Sequence, residues 1–353
     1  MTNVSYLIVG QGLAGSILAY TLHKKGQQIL VVADSRPTSS AVAAGLFNPI
    51  TGKKLVKTWQ ADALFAYLPR FYHQLEEELG QTFLHNHPLY RPFRSITEQN
   101  TYTALSAEPT LSSYLSTEVD HSQYSGYIHN ELGGIATLAT GWLDTQLLLR
   151  EIRTYFQKLN IFREETFDYQ DLKVQDERVY WKDIDAQTIL FCEGISGVQN
   201  PYFSWLPFRS MKGEILRILV ESPITNHLIN QGVWFVPQLD GSVKIGATYD
   251  WQDTSWLPTP KGEAYLTEQV KKFLKVPFTI QERYAGIRPA TADRRAFVGI
   301  HPTLRQVGIF NGMGSKGVSM IPYLANHFAE FLLYKKELNP EVNIERYFSL
   351  YFK

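Results

Sequence analysis

Three glycines and one aspartate near the start of the sequence have the spacing of a dinucleotide site. Gly10, Gly12 and Gly15 form the pattern G-x-G-x-x-G, and Asp34 follows them. The first glycine allows a tight turn, the second lets a pyrophosphate approach the backbone, and the third lets a helix and a strand pack closely. A carboxylate about 20 residues further on can accept hydrogen bonds from a ribose. The pattern predicts NAD or FAD binding without distinguishing the two, because both carry the same adenosine diphosphate.

The residues beside these glycines are further candidates for cofactor contact. Leu13 and Ala14 lie where a helix is predicted to begin, and free N–H groups together with the helix dipole attract phosphates there. Ser35 directly follows Asp34 and is included with it. The alternative, in which the glycines only form a strand-to-helix turn and Asp34 caps the next loop, stays open at this point.

The elements around the pattern must hold it in a parallel sheet. Residues Tyr6 to Val9 are apolar and β-prone, the following helical segment ends at Gly26, and a second strand is predicted from Gln28 to Val32. This βαβ unit has short connections, and its right-handed crossover places both strands parallel in one sheet.

Later segments alternate between the two types of secondary structure. Helical spacing of apolar residues recurs at 60–79 and from Leu143 to Leu159, whereas residues 207–250 are strongly β-like. Residues 283–333 hold a strand, a glycine-rich turn and a long apolar helix. The loose pattern of residues 80–140 suggests a departure from the first sheet. The domains are therefore predicted to be interleaved in sequence.

Composition excludes some classes of protein and favours one compartment. The chain has 353 residues, enough for two joined domains, and 34 basic residues balance 34 acidic ones. No net field draws it to nucleic acid, and no apolar run approaches the roughly 18 residues that span a bilayer. No metal site is expected. Because Cys192 is the only cysteine and the N-terminus lacks the features of a signal peptide, a cytoplasmic location is predicted.

Four further segments carry a family resemblance over nearly the whole length. They are SSAVAAGLFNP, TILFCEGISG, YAGIRPATADRRAFVGIHP and IFNGMGSKGVSMIPYLANHFAEFL. Together they resemble the D-amino-acid oxidase, glycine oxidase and sarcosine oxidase family of flavoproteins. The resemblance implies one non-covalently bound FAD. It also implies cofactor contacts, at Ala43, Ala44 and Gly45 beside the flavin ring, at Gly194, and at Gly312, Gly314, Ser315, Lys316 and Gly317 near its pyrimidine edge.

The same resemblance implies substrate-side residues. Arg288 matches the arginine that holds a substrate carboxylate, for which a planar guanidinium is suited. Lys244 matches the lysine that sarcosine oxidases use to activate oxygen, and a merely exposed strand lysine is the alternative. Trp234 stands where several amino-acid oxidases have a tyrosine, which puts the identity of the substrate in doubt. Tyr249 is the fourth candidate for a catalytic role.

The predicted fold is α/β, with a Rossmann-type FAD-binding domain interleaved with an α+β substrate domain on a mainly antiparallel sheet. The FAD-binding domain is assigned residues 1–80, 141–206 and 283–353, and the substrate domain residues 81–140 and 207–282. The predicted activity is oxidation of a C–N bond in an amino acid or small amine, with oxygen or another compound as electron acceptor.

Two alternatives remain open from the sequence. One is an oxidase acting on a modified tRNA nucleoside, because LVVADS and GMGSKG resemble the oxidase portion of a tRNA-maturing enzyme. Net neutrality makes a nucleic-acid partner the less expected case. The other alternative is a sensor that binds FAD or NAD without turnover.

Overall fold

A computed structural model describes residues 1–175, 177–221 and 226–351. Its strands are β1 Thr2–Val9, β2 Ile29–Ala33, β3 Leu46–Phe47, β4 Ile50–Thr51, β5 Val56–Lys57, β6 Leu84–Asn86, β7 Leu89–Pro92, β8 Leu115–Ser116, β9 Gly134–Thr137, β10 Gly141–Leu143, β11 Phe162–Glu164, β12 Leu172–Gln175, β13 Arg178–Trp181, β14 Ile184–Phe191, β15 Phe208–Val220, β16 Leu228–Asn230, β17 Trp234–Pro237, β18 Ser242–Gly246, β19 Phe278–Thr291, β20 Phe297–Ile300 and β21 Val307–Asn311.

The α-helices of the described residues alternate with these strands. They are α1 Leu13–Lys24, α2 Ser39–Val42, α3 Ala61–Leu79, α4 Ile96–Ser106, α5 Ser122–Ser125, α6 Thr145–Lys158, α7 Pro260–Phe273, α8 Gly317–Tyr334 and α9 Phe348–Tyr351. None of the helices in the described ranges combines the length and the apolar character needed to cross a membrane.

The first large sheet carries the glycine pattern. Its strands follow the order β11, β2, β1 and β14, and these four are parallel. On its other edge, β14 pairs with β13 through its N-terminal residues, antiparallel, and with β21 through its C-terminal residues, parallel. The C-terminal ends of β1 and β14, Tyr6 to Val9 and Ile189 to Phe191, are apolar and buried because both faces of the sheet are covered there. α1 and α8 pack on one face with side chains such as Ile17, Leu324 and Phe328.

The second large sheet is mainly antiparallel. Its order is β19, β15, β18, β17, β16, β7, β9 and β8, and only the β16–β7 pair is parallel. β15 and β19 are the long strands, with 13 and 14 residues. The predicted fold class, a Rossmann-type domain with a second antiparallel sheet, is confirmed by this arrangement together with the family match described below.

The boundaries of individual elements differ from the expected ones in places. The helix expected from Leu143 begins at Thr145, because Leu143 belongs to β10. Asp144 caps the helix: its carboxylate accepts a hydrogen bond from the Leu147 amide. Residues 222–225 of the predicted β-like region lie outside the described residues. β19 runs across position 283 in the second sheet, although the sequence places a domain boundary there. The assignment of segments to domains stays a prediction.

Candidate functional site

A cavity of about 1040 Å³ lies between the two large sheets. One wall is formed where β1, β2 and β14 end, at Val9, Val32 and Cys192. The opposite wall includes Gly213 and Trp234 from the second sheet. The carboxyl ends of parallel strands are the usual ligand site of such a sheet, so the cavity is the candidate site.

The glycine pattern forms the turn between β1 and α1. Gly10 has φ +99°, and a Cβ there would stand 2.6 Å from the Cys192 carbonyl oxygen. A Cβ on Gly15 would stand 1.9 Å from the Gly10 carbonyl oxygen, whereas one on Gly12 would meet only Ser40 Oγ, at 3.3 Å. Gly15 therefore serves the close packing of helix and strand. Gly12 is left with space toward the cavity, which its backbone lines.

The start of α1 and the end of β2 supply polar groups to the same part of the cavity. Gly12, Leu13 and Ala14 line it, and the Leu13 amide donates to Ser40 Oγ at 3.1 Å. Asp34 and Ser35 also line it, and the Asp34 carboxylate accepts hydrogen bonds from the backbone amide and Nε of Arg36. Ser40 and Arg36 were not singled out from the sequence, because neither belongs to a spaced motif.

Glu193 is a further residue of this wall that sequence reasoning missed. Its carboxylate accepts hydrogen bonds from the Tyr169 hydroxyl and from Asn200 Nδ2, the latter at 2.7 Å. Burial raises the pKa of the Glu193 carboxyl, and the two hydrogen bonds and Arg36 oppose the shift. The residue lies between Cys192 and Gly194, so its place beside the β14 end could have been inferred, but its partners could not.

The small-residue loop predicted beside the flavin lines the cavity between α2 and β3. Gly45 has φ +73°, and a Cβ there would stand 1.9 Å from the Leu143 carbonyl oxygen. The Leu143 amide donates to the Gly45 carbonyl at 3.1 Å. Ala43 and Ala44 belong to the same wall. Only glycine fits at position 45 because the loop lies against β10.

Lys244 lies behind this loop and does not line the cavity. Its side chain is 7% exposed, and its Nζ donates to the Ala43 carbonyl at 3.2 Å. Burial lowers the pKa of the ammonium, and Asp144 opposes the shift. The structure therefore gives Lys244 a contact that holds the loop, while the oxygen-activating role stays a prediction.

We expect Lys244→Met to weaken FAD binding by about 10-fold or more, because a hydrogen bond from a charged group contributes roughly 1.5–3 kcal/mol. The measurement is a fluorescence titration of apoprotein with FAD, beside stopped-flow reoxidation of the reduced protein by oxygen. Unchanged FAD affinity with strongly slowed reoxidation would contradict the loop-holding role and support the oxygen role. Lys24→Met, which removes an exposed lysine paired with Glu78, is the control.

Two glycine turns meet where the neighbouring strands β14 and β21 end. Asn311 joins them, because its Nδ2 donates to the Gly194 carbonyl at 2.9 Å and its Oδ1 accepts from the Gly312 amide at 2.8 Å. Gly194 and Gly314 line the cavity, whereas Gly312 packs against Thr291 behind it. Asn311 was not predicted as a site residue, although it stands directly before the glycine turn in the sequence.

The turn between β21 and α8 adds a cation. Ser315, Lys316 and Gly317 line the cavity, and Lys316 Nζ donates to Thr58 Oγ1 at 3.2 Å. Burial lowers the pKa of the Lys316 ammonium, and the nearby positive charge of Arg295 lowers it further. Oriented amides and an ammonium at a helix N-terminus can stabilise a developing anion.

The Arg288 guanidinium contacts the backbone of Gly213 and the ring of Tyr249. A Cβ on Gly213 would stand 2.1 Å from Arg288 Nη2, so the guanidinium lies against that glycine. The Tyr249 ring lies on the guanidinium at 5.2 Å, and Nη1 donates weakly to the Thr248 carbonyl at 3.4 Å. Burial lowers the pKa of Arg288. Among the described residues no carboxylate pairs with it, so its donors can serve an anion in the cavity.

Trp234 occupies space that a neighbouring glycine leaves free. It pairs with Gly246 across β17 and β18, and a Cβ on Gly246 would stand 2.8 Å from the indole ring. The indole lines the cavity near Asn230. Trp234 therefore contributes an apolar surface where the family resemblance led us to consider a hydroxyl.

The structure brings most of the predicted site residues to one cavity. The residues that line it are Gly10, Gly12, Leu13, Ala14, Asp34, Ser35, Ala43, Ala44, Gly45, Gly194, Trp234, Tyr249, Arg288, Gly314, Ser315, Lys316 and Gly317. Three predicted residues, Gly15, Gly312 and Lys244, lie behind the wall. The roles assigned to all of these residues stay predictions.

The cavity has the features that a dinucleotide needs. The turn at Gly10 to Gly12 is open to the cavity, the helix N-terminus follows it, and the acidic residues Asp34 and Glu193 stand beside that turn. The fold and the site together define a dinucleotide-binding architecture with the cavity beneath a second sheet.

Residues 5–331 match the family described as DAO, FAD dependent oxidoreductase, and the chain belongs to that family. A similar curated protein is the tRNA 5-methylaminomethyl-2-thiouridine biosynthesis bifunctional protein MnmC of Marinobacter nauticus. The two sequences are 25% identical over an alignment 364 residues long, gaps included, which covers 92% of this chain and 54% of the relative. The chain thus spans about half the length of that relative.

Two solved structures share the fold. Glycine oxidase from Bacillus cereus has a TM-score of 0.79 with 16% identity, over 95% of this chain and 96% of the other. L-α-glycerophosphate oxidase from Mycoplasma pneumoniae, solved with FAD bound, has a TM-score of 0.76 with 16% identity, over 98% and 99%. The description of the family, FAD dependent oxidoreductase, indicates FAD as the cofactor.

Proposed function

We propose that the protein oxidises a C–N bond of an amino acid or small amine. The observation that carries the proposal is Arg288, a largely buried guanidinium in the cavity wall with no carboxylate partner among the described residues. The guanidinium lies against the backbone of Gly213 and contacts the ring of Tyr249, which itself is largely exposed. Such a planar group suits a bidentate carboxylate.

The residues of the cavity would bind and orient the substrate. Arg288 would hold the carboxylate, the Trp234 indole would exclude water, and Lys316 would stabilise negative charge at the glycine turn. FAD, when bound, supplies the two-electron oxidation. No catalytic base is assigned, since an amine that is neutral when bound needs none for loss of a hydride. Oxygen or another acceptor, and a cytoplasmic location, are further parts of the proposal.

We expect FAD to be bound without a covalent link. Cys192 is buried beside Gly10, at the phosphate turn rather than in the loop of Ala43 to Gly45, and burial raises the pKa of its thiol. A raised thiol pKa disfavours the reactive thiolate. Acid precipitation should therefore release about one FAD per chain into the supernatant. Yellow colour that stays with the precipitate would contradict the expectation.

The experiment that tests the proposed activity is an anaerobic screen of amino acids and secondary amines for loss of the flavin's visible absorbance. Reduction by a carboxylated amine supports the proposal. A second candidate, oxidation of a modified tRNA nucleoside, is favoured by the similarity to MnmC over most of the chain. Reduction by such a tRNA and by no free amine would favour this candidate. A flavin that no compound reduces would favour the non-catalytic sensor.

A further inference from the structure

Arg91 is a buried arginine of the cavity wall that the proposed chemistry does not use. It stands on β7 and is 7% exposed. Nη2 donates to the Ile50 carbonyl at 3.0 Å and Nη1 to the Gly52 carbonyl at 3.3 Å. Its Nε is buried and has no hydrogen-bond partner. The guanidinium therefore holds the β4–β5 hairpin and still has an unused donor.

Within the described part of the chain, the charge of Arg91 meets a negative charge only at longer range, that of Glu98, which opposes the lowering of the Arg91 pKa by burial. Among the described residues no carboxylate lies within ion-pair distance of it, and the nearby Glu98 is engaged by Arg94 at 2.6 Å and Tyr102 at 2.9 Å. Two backbone carbonyls satisfy donors but carry no net charge, and a buried charge without a counter-ion is costly. Accordingly, burial lowers the pKa of Arg91. The arrangement favours binding of an anion from the cavity at the Arg91 guanidinium.

Arg91 belongs to the same continuous wall as Arg288 and Lys316, whereas Arg36, Arg150 and Arg153 line other parts of the cavity. The β4–β5 hairpin that Arg91 holds is tied to Thr58, whose amide donates to the Pro49 carbonyl at 2.7 Å and whose hydroxyl accepts from Lys316. The Gly314 amide in turn donates to the carbonyl of Pro289, next to Arg288.

The acidic residues that line the described cavity, Asp34 and Glu193, both stand at the dinucleotide turn. One end of the cavity thus presents three cations and no carboxylate. A substrate carboxylate would compensate Arg288, and Lys316 belongs to the turn assigned to the flavin, so neither accounts for Arg91.

We propose that Arg91 forms a second anion subsite, and that the substrates are amines with a second anionic group besides the carboxylate at Arg288. The second group is a carboxylate or a phosphate. This inference rests on the proposed function. Four strands lie between β7 and β19 in the sheet, so five interstrand spacings of about 4.8 Å each separate them. The separation favours two anionic groups on an extended ligand over one carboxylate shared by both arginines.

The test uses binding to the FAD-loaded protein. The probes are α,ω-dicarboxylates from succinate to suberate, the monocarboxylates of equal chain length, and the matching ω-phosphonocarboxylates. Affinities come from perturbation of the flavin spectrum and from calorimetry. We expect a dicarboxylate or phosphonocarboxylate of one chain length to bind at least 10-fold more tightly than the monocarboxylate of equal length. The series that binds more tightly shows whether the second anionic group is a carboxylate or a phosphate.

The variants separate a subsite from a structural role. Arg91→Gln should abolish the advantage and leave monocarboxylate affinity within about 3-fold, whereas Arg91→Lys, which keeps the charge, should retain much of it. Arg283→Gln, which removes an exposed arginine paired with Glu263 and away from the cavity lining, is the control and should change nothing. No advantage in the parent protein, or an advantage that survives Arg91→Gln, overturns the proposal.

The failure of this proposal can be told from that of the proposed function. The probes need only bind, so the subsite can be measured even if no amine reduces the flavin. Conversely, amine oxidation without any preference for doubly anionic ligands would leave the proposed function intact and remove the subsite.

Discussion

Arg288→Ala is expected to lower the efficiency of flavin reduction by a carboxylated amine by about 30-fold to several-thousand-fold. Loss of one partner of a buried, charged hydrogen bond costs roughly 2–5 kcal/mol. The uncharged amide of the same amino acid should lose far less, because it makes no ion pair with the guanidinium. The measurement is the rate of anaerobic reduction against concentration for both compounds.

A glycine substitution provides a second test of the same site. Gly213→Ala places a Cβ 2.1 Å from the present position of Arg288 Nη2, so the guanidinium must move while the arginine stays in the chain. We expect a selective loss for the acid that is smaller than in Arg288→Ala. Gly126→Ala is the control, because no atom lies within 4 Å of its added Cβ. Equal losses for acid and amide in both site variants would show that Arg288 is structural.

Gly15→Ala is expected to cost both stability and cofactor. Its Cβ would stand 1.9 Å from the Gly10 carbonyl, so the helix must shift from the strand, and overpacking typically costs about 1–3 kcal/mol or more. Gly12→Ala should instead leave the apoprotein's melting temperature nearly unchanged, because the nearest atom is Ser40 Oγ at 3.3 Å. It should still weaken FAD binding strongly, since the pyrophosphate must approach there.

The two variants are compared by thermal unfolding of apoprotein and by titration with FAD. Loss of stability in both, or normal FAD affinity in Gly12→Ala, would show that the glycines serve only the turn. That result would restore the alternative in which the pattern has no role in cofactor binding.

The first sheet could be predicted because its information is local. The G-x-G-x-x-G pattern lies between a strand and a helix of adjacent sequence, and the structure places β1, α1 and β2 within a few residues of the expected positions. The segments that contain Gly194 and Gly314 come to the cavity because they follow β14 and β21 of that sheet, whereas Arg288 reaches it from β19 of the second sheet.

What escaped prediction depends on contacts between distant segments. The role proposed for Arg91 depends on its hydrogen bonds to a hairpin about 40 residues earlier in the chain. It also depends on the lack of an ion pair to Arg91 among the described residues. Lys244 has the residue type of an oxygen-activating lysine, but the register of β18 between β15 and β17 turns its side chain to the back of the loop at Ala43. Such outcomes follow from tertiary packing, which neither periodicity nor motif spacing encodes.

The central strand of the first sheet has a consequence for the order of folding. β14 pairs with β1 from the start of the chain and with β21, which is synthesised more than a hundred residues after it. Pairing over such separations is slow, because the loop entropy is lost before the contacts form. The turn from Gly314 to Gly317 follows β21, so the cofactor cavity closes only after β21 has been synthesised and paired. FAD can therefore act as a ligand that stabilises the completed sheet, not as a template for its first strands.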